Sequence, residues 1–233
     1  MAELYLSRLW IDARRPGGRT AIADLGEIHR LVMRAFPADS GAEPRASHGV
    51  LWRLDEGRLG AGPSLLVQST TRPDWARLPD IYPVGEPPEF REVSTLLARI
   101  EPGRRLRFRL VANPTRKVDT KSGPDGARRH GRRVPLHDDA DVLEWLVRKG
   151  VEAGFSVGAG PVEAASSVVV RRLGDGHGTR RAGDQPRTRL TLRSVAFEGV
   201  LTVLDADRLR AAITAGFGSG KAYGHGLLTV GPP

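Results

Sequence analysis

Residues 215–228, AGFGSGKAYGHGLL, are the most distinctive stretch of this chain, with five glycines within eleven positions. They follow a helical pattern and precede a short apolar strand. Glycine permits positive φ and lets another backbone approach closely. A series of exposed N–H groups beside Lys221 is suited to a phosphate or a polynucleotide backbone. On composition alone, a glycine-rich helix end and linker is an equally good interpretation.

Spacing excludes two well-known phosphate loops. A Walker A loop requires glycine five residues before its Gly-Lys pair and serine or threonine after it. Ala215 and Ala222 occupy those positions. The dinucleotide motif G-x-G-x-x-G also fails, because Tyr223 stands where the third glycine belongs after Gly218 and Gly220.

The positive charge is concentrated in two segments. The chain has a net charge of +9, and residues 104–133 hold eleven Lys or Arg against two Asp. A second excess lies at 171–193, with seven Arg and two Asp. Arg outnumbers Lys 32 to 4, so a compositional bias accounts for the abundance of arginine but not for its clustering. Clustered charge of this kind indicates a nucleic-acid partner.

The remaining composition is that of an ordinary globular protein. A chain of 233 residues with 39% hydrophobic residues is long enough for one large domain or two small ones with real cores. No apolar run approaches the length that spans a bilayer, and no signal peptide is evident, so we expect no membrane partner. The absence of cysteine excludes disulfides and thiolate metal sites and favours the cytoplasm.

Hydrophobic periodicity predicts the elements of the first half. Asp24 is the predicted N-cap of its helix, with Glu27 at capping-box spacing. A Pro-rich loop is expected over 71–90, whereas 90–100 fits a strand or a helix. The predicted elements are strands at 3–12, 49–54 and 64–69 and a helix at 24–36.

The second half gives the order β-α-β-β-α-β, which is that of ferredoxin-like and RRM domains. Leu106, Phe108 and Leu110 alternate strictly with three arginines, which is typical of a strand. A Gly/Arg-rich tip is expected over 173–187. The other predicted elements are helices at 138–153 and 205–215 and strands at 162–172, 188–204 and 227–230.

We therefore predict an α+β fold of two tandem ferredoxin-like (RRM-like) domains. The first spans residues 1–96 and carries His29. The second spans residues 104–233 and carries a basic loop, 115–133, and a glycine-rich loop, 216–226.

The glycine-rich loop resembles the C-terminal loop of the CRISPR RNA-processing endoribonucleases, in particular the CasE family of the Cascade complex. Other stretches resemble the same family in order along the chain: Leu4-Tyr5-Leu6, Ile28-His29-Arg30 with Ala35-Phe36-Pro37, Arg107-Phe108-Arg109-Leu110 with Asn113-Pro114, and the 138–153 helix. The resemblance implies binding of the CRISPR repeat RNA hairpin and one cut at the base of its stem. It implies a 2′,3′-cyclic phosphate product, no metal or cofactor, and retention of the product together with other Cascade subunits. Outside the complex we expect a monomer.

Metal-free RNA cleavage requires proton transfer, for which imidazole is suited because its pKa lies near neutrality. We interpret His48, His130, His137 and His177 as solvated loop residues, and place His225 near the bound phosphate. His29 lies on the rim of a helical apolar face, where the residues alone favour a half-buried structural histidine. The resemblance instead implies that His29 is catalytic.

Two positions beside His29 depart from the family. A tyrosine is common three residues before the histidine, where this chain has Gly26. A family lysine five residues after it is replaced by Arg34, which keeps the charge but is a poor proton donor. We assign Arg34 electrostatic stabilisation.

The expected RNA-binding residues combine the basic segment with the glycine-rich loop: Arg105, Arg107, Arg109, Arg116, Lys117, Lys121, Arg128, Arg129, Arg132, Arg133, Gly218, Gly220, Lys221, Tyr223 and Gly224. Tyr223 and Phe217 are candidates for base stacking, and Phe217 also fits the core. The alternative function is a noncatalytic RNA-binding subunit, although the aromatic pattern of an ordinary RRM sheet is absent. A DNA-binding protein or a phosphate-ligand enzyme is disfavoured by the failed motifs.

Overall fold

The computed structural model describes residues 3–38, 41, 43–57, 62–78, 81, 88–118, 132–158, 163, 166–180 and 188–233. Among these residues, no helix has both the length and the apolar character needed to cross a membrane.

The first half forms a four-stranded antiparallel sheet in the order β2-β3-β1-β4, which is the ferredoxin-like order. Its strands are β1 Tyr5–Trp10, β2 Leu51–Asp55, β3 Ser64–Ser69 and β4 Glu89–Glu92. The helices are α1 Pro16–Ala23, α2 Leu25–Met33, α3 Pro44–Ser47 and α4 Ser94–Ala98, with a single 3₁₀ turn at Trp75–Arg77. Ile28 and Val32, four residues apart on α2, are fully buried and pack with Leu9 and Trp52 of the sheet.

The second half repeats this order in the sheet β11-β5-β10-β8. β9 pairs with the same edge of β10 as β8, because β5 occupies the other edge. Its elements are β5 Arg105–Ala112, β6 Thr115–Val118, β7 Arg132–Pro135, α5 Asp139–Glu152, β8 Phe155–Ser156, β9 Val168–Arg180, β10 Thr188–Val203, α6 Ala206–Ala215, a 3₁₀ turn at Lys221–Tyr223, and β11 Leu228–Gly231. The predicted pair of ferredoxin-like units is confirmed.

Several details of the sequence prediction are corrected. β9 continues through much of the expected Gly/Arg-rich tip as far as Arg180, and the ends of the basic loop form the antiparallel pair β6–β7. Residues 90–100 contain both the end of a strand and a helix, because Val93 separates β4 from α4. α1, α3 and β8 were not predicted, and β9 begins only at Val168, because residues 166–167 of the expected strand are helical. The remainder of the basic loop, 119–131, lies outside the described residues.

An ion network centred on the buried Arg53 joins the two halves, with Arg109 and Glu198 partly exposed. Arg53 of β2 is only 4% exposed and donates to Asp55 at 2.8 Å and to Thr229 of β11 at 3.1 Å. Arg109 of β5 pairs with the same carboxylate at 3.0 Å and with Glu198 of β10 at 3.2 Å. The network therefore fixes the first sheet against the second. The domain limits 1–96 and 104–233 remain a prediction, and Leu4 packs in the core of the second half.

Candidate active site

The N-terminus of α2 is fixed by Asp24, the predicted N-cap. The Asp24 carboxylate accepts from the Gly26 N–H at 2.6 Å and from the Thr179 hydroxyl of β9 at 2.6 Å. One side chain therefore caps the helix and joins it to the second half. Glu27 does not complete a capping box, because its carboxylate pairs with Arg30 instead.

Gly26 lies where β9 approaches α2 most closely. A β-carbon on Gly26 would lie 2.8 Å from the Thr179 carbonyl oxygen and 2.9 Å from the Asp24 carboxylate. These distances are too short for any side chain unless the backbone of β9 moves. A tyrosine at this position would therefore clash with β9. The strand also meets the 3₁₀ turn, since the ring of Tyr223 lies against Gly178.

His29, one turn after Gly26, is half-buried on α2. Burial, together with the positive charges of Arg45 and Arg30, lowers its pKa from 6.5 to about 4. Its Nδ1 is buried and has no hydrogen-bond partner among the described residues. The imidazole is therefore neutral at pH 7 and able to accept a proton.

The glycine-rich loop has the backbone that its composition predicts. All five of its glycines, Gly220 and Gly224 included, have positive φ. At Gly224, a β-carbon would also lie 2.6 Å from the indole of Trp52. The loop is tied to β5 because the Gly226 N–H donates to Val111 at 2.7 Å and Ser219 pairs with Asn113.

Arg45 lies near His29, and Lys221 lies near Arg45. The 3₁₀ turn that carries Lys221 contacts α2. The Lys221 ammonium donates to the Ala215 carbonyl at 2.8 Å, and its pKa is lowered by burial and by the charge of Arg45. Arg45 of α3 therefore lies close to both His29 and Lys221, since such an effect weakens with distance. Sequence analysis did not identify Arg45, because no periodic pattern or motif surrounds it.

Arg34 does not lie beside Arg45 and Lys221. It lies five residues after His29, which places it about 140° around an ideal helix. The Arg34 side chain is exposed, and its nearest described partner is the Arg77 carbonyl at 3.5 Å.

The other histidines fall into three groups. His137 and His177 are exposed, as predicted. His48 is a correction, because it is buried against Phe36 and contacts the Thr71 hydroxyl at 2.9 Å. His225 is buried beneath the glycine-rich loop, where it meets the Ser194 hydroxyl at 2.9 Å and burial lowers its pKa to about 4. His130 lies outside the described residues.

The basic residues are divided among several places. Arg116, Lys117 and Arg133 are exposed on β6 and β7, which we call the basic hairpin, next to the pair formed by Asn113 and Ser219. Arg105 and Arg107 are exposed at the far end of β5, and Arg109 belongs to the ion network around Arg53. Arg132 lies on β7 with an undescribed side chain, and three further predicted cations lie outside the described residues: Lys121, Arg128 and Arg129. Phe217 is buried against Trp145, which confirms a core role.

Comparison with known proteins gives a consistent result. The family model described as CRISPR associated protein matches residues 4–232. The CRISPR-associated endoribonuclease Cse3 of Thermus thermophilus is 32% identical, with 98% of this chain and all of the relative aligned. The CRISPR system Cascade subunit CasE of Escherichia coli is 28% identical over the same share of each chain.

Solved structures agree with this match. The Thermus thermophilus Cse3 bound to an RNA representing a pre-cleavage complex superposes with a TM-score of 0.72, covering 99% of this chain and all of that chain. The Cas6e protein of Escherichia coli gives 0.57 at 26% identity, covering 98% of this chain and all of that chain. Fold, full-length coverage and sequence identity lead to the same conclusion: the chain belongs to the CasE family of CRISPR-associated proteins.

Proposed function

We propose that this protein is an endoribonuclease that binds the CRISPR repeat RNA hairpin and cuts it once, at the base of its stem. The observation that carries the proposal is a neutral, half-buried imidazole, His29, beside the positive charges of Arg45 and Arg30 in a chain of the CasE family. Two relatives support it, since Cse3 is named an endoribonuclease and CasE a Cascade subunit. Retention of the cut RNA, assembly with other Cascade subunits and a cytoplasmic location belong to the same proposal.

The RNA supplies its own nucleophile in this reaction. The 2′-oxygen next to the cut forms a bond to phosphorus while the bond to the 5′-oxygen breaks, which gives a 2′,3′-cyclic phosphate and a 5′-hydroxyl. His29 accepts the proton of the 2′-hydroxyl, because its imidazole is neutral at pH 7, and water supplies the proton that the leaving 5′-oxygen gains. The protein also aligns the attacking and leaving oxygens and offsets the negative charge of the phosphorane.

Recognition depends on phosphate contacts and on the shape of the hairpin. The deep, narrow major groove of duplex RNA is poorly accessible to side chains, so charge and shape dominate binding. The basic hairpin follows Asn113, which pairs with Ser219 of the glycine-rich loop. Cations on this hairpin hold the stem, while Lys221 and the loop amides hold phosphates near the cut.

The test is cleavage of a labelled repeat hairpin in EDTA by the parent protein and by His29→Ala. The parent should give a single cut that disappears when the 2′-hydroxyl at the cut is replaced by hydrogen. His29→Ala should lower the rate roughly a hundredfold or more, the usual scale for losing acid–base help. Its affinity for the hairpin should barely change, and His137→Ala, at an exposed histidine elsewhere, should keep the parent rate.

Two results would overturn the proposal in different ways. A folded His29→Ala protein that binds and cuts at the parent rate removes His29 from the mechanism. A parent protein that binds the hairpin and never cuts it is a noncatalytic RNA-binding subunit.

A further inference from the structure

Arg45 is held in a defined position at the edge of the candidate active site. Its Nη1 donates to the Val50 carbonyl at 3.1 Å, and its own carbonyl accepts from the Val50 N–H at 2.9 Å. Both ends of the residue are thus fixed to the position that immediately precedes β2. The side chain is half-buried, so the protein loses little further freedom when the guanidinium binds a ligand.

Lys221 lies near Arg45 because the backbone segments that hold the two side chains are in contact. A β-carbon on Gly216 would lie 3.3 Å from Cδ of Lys221 and 2.6 Å from Cδ2 of Leu51. Leu51 directly follows Val50, to which Arg45 is bonded. The Arg45 side chain is thus held by the Val50 carbonyl, and the Lys221 side chain by the Ala215 carbonyl. The residues that follow these two carbonyls, Leu51 and Gly216, lie side by side.

No described carboxylate is in direct contact with this pair of cations, and the one described acidic group whose charge acts on Arg45 is Glu43, two residues before it. Neither Arg45 nor Lys221 forms an ion pair with a carboxylate in the part of the chain that the structure describes. Arg45 lines a cavity of about 810 Å³ between the two halves, together with Gly49, Thr70 and Ala215. The acidic groups of that cavity are engaged elsewhere, since Asp207 pairs with Arg210 and Glu3 accepts from the Tyr5 hydroxyl.

Like charges without a directly bonded carboxylate cost free energy in the free protein. Burial lowers the pKa of both side chains, and the charge of Arg45 lowers that of Lys221 further. An anion placed between them would remove the repulsion and replace the lost hydration. A phosphate suits the pair because guanidinium groups donate two N–H bonds to its oxygens and an ammonium adds a point charge.

We propose that Arg45 is a further catalytic residue, which together with Lys221 clamps the non-bridging oxygens of the phosphate that is cut. The inference rests on the proposed function. As the 2′-oxygen attacks and the 5′-oxygen leaves, negative charge grows on the non-bridging oxygens. Arg45 and Lys221 offset that charge while His29 moves the proton. This assigns to Arg45 the electrostatic role that sequence analysis gave to Arg34.

The experiment compares Arg45→Gln, Lys221→Gln and Arg45→Lys with the parent protein. Glutamine removes the charge of Arg45 but keeps a donor for the Val50 carbonyl. Single-turnover cleavage of the hairpin in EDTA, with protein in excess, gives the rate constant, and the uncleavable 2′-deoxy hairpin gives Kd. Arg148→Gln is the matched control, because Arg148 is exposed on α5 and pairs with Glu152.

Loss of one preorganised charge should lower the rate constant of each glutamine variant about a hundredfold. Kd should rise less than tenfold, since the clamp holds one phosphate among many. Arg45→Lys, which keeps the charge but loses the pair of N–H bonds, should recover part of the rate, and Arg148→Gln should keep the parent rate.

The inference is overturned if a folded Arg45→Gln protein cuts within twofold of the parent rate, or if Arg45→Lys is as slow as Arg45→Gln. If Arg45→Gln does not fold, the other two variants decide. A Lys221→Gln protein that cuts at the parent rate excludes a clamp, and so does an Arg45→Lys protein that is a hundredfold slower than the parent. Failure of the proposed function is distinct, since the parent protein itself would then not cut.

Discussion

At the scale of single residues, the pH dependence of cleavage reports the environment of His29. Its pKa of about 4 lies below the ordinary 6.5 because of burial and of the charges on Arg45 and Arg30. A base is inactive once protonated, so kcat/KM should rise with pH through about 4 and be level from pH 6 to 8. The same shift makes the fold lose stability as pH falls from 6.5 towards 4, because the unfolded state binds the proton first.

The measurement is kcat/KM for the hairpin from pH 3.5 to 8, over the range in which the protein remains folded. The residual activity of His29→Ala should lack the inflection. An inflection near 6.5 in the parent protein would show that the base is solvated and would contradict the burial of His29.

Gly26 offers a second test at this scale. Alanine is the better helix former, but a β-carbon here would meet the Thr179 carbonyl at 2.8 Å. We expect Gly26→Ala to lower the free energy of unfolding by about 1–3 kcal/mol, the usual cost of overpacking. Urea denaturation measures it, with Gly231→Ala as the control because nothing lies within 4 Å of Gly231. A Gly26→Ala protein as stable as its parent would mean that β9 does not press on α2.

Residues that follow a local pattern could be predicted, and those gathered by tertiary contact could not. His29 was located through its helical neighbours and the family resemblance, and Lys221 through the glycines around it. Arg45 belongs to a four-residue helix, and its proximity to His29 depends on how α3, β2 and the 3₁₀ turn pack together. The electrostatic role of Arg34 stays a prediction, and in the structure its exposed side chain lies near the Arg77 carbonyl.

At the scale of elements, the N-cap of α2 is expected to support catalysis as well as stability. Asp24→Ala removes the bond to Gly26 and the bonds to Thr179 of β9. The expected loss is about 1–2 kcal/mol of stability, with a lower cleavage rate because α2 carries His29. Asp138→Ala is the matched control, since Asp138 caps only α5, through Ala140 and Asp141. If the two variants lower the cleavage rate equally, the Asp24 cap has no specific role in positioning the active site.

Strand β9 shows where sequence patterns fail for elements. Its segment from Leu173 to Arg180 is rich in glycine, which predicts a turn. The glycines instead make room for other side chains: Leu25 of α2 reaches Gly176, and Tyr223 lies on Gly178. This part of β9 is a strand because its backbone pairs with β10, a distant partner that its own residues do not indicate. In contrast, α5 and α6, with capping aspartates and apolar stripes, were predicted nearly to the residue.

At the scale of the whole molecule, the ion network around the buried Arg53 should determine whether the two halves unfold together. Asp55 neutralises both Arg53, which is 4% exposed, and Arg109. Removing one partner of a buried pair costs about 3–5 kcal/mol, because the remaining charge stays buried. Asp55→Ala should therefore lower Tm and separate the calorimetric transition into two. The neighbouring change Glu56→Ala, at an exposed pair with Arg171, should have little effect, and a single unshifted transition in Asp55→Ala would exclude this role.

The charge distribution of the whole molecule should determine how RNA binding depends on salt. Arg116, Lys117 and Arg133 are exposed on the basic hairpin, and no carboxylate pairs with them in the described part of the chain. Each phosphate contact lowers the slope of log K against log salt by about 0.7–0.9. Changing all three to Ala should therefore flatten the slope by about 2–3 and weaken hairpin binding most at low salt.

Filter binding with the 2′-deoxy hairpin at several salt concentrations measures both quantities. The control variant changes three exposed cations that already have acidic partners, Arg8, Arg77 and Arg148, so the net charge falls equally. Because net charge acts at a distance and phosphate contacts act locally, the two variants separate these effects. If both flatten the slope equally, the RNA responds to overall charge, and the basic hairpin is not the surface that holds the stem.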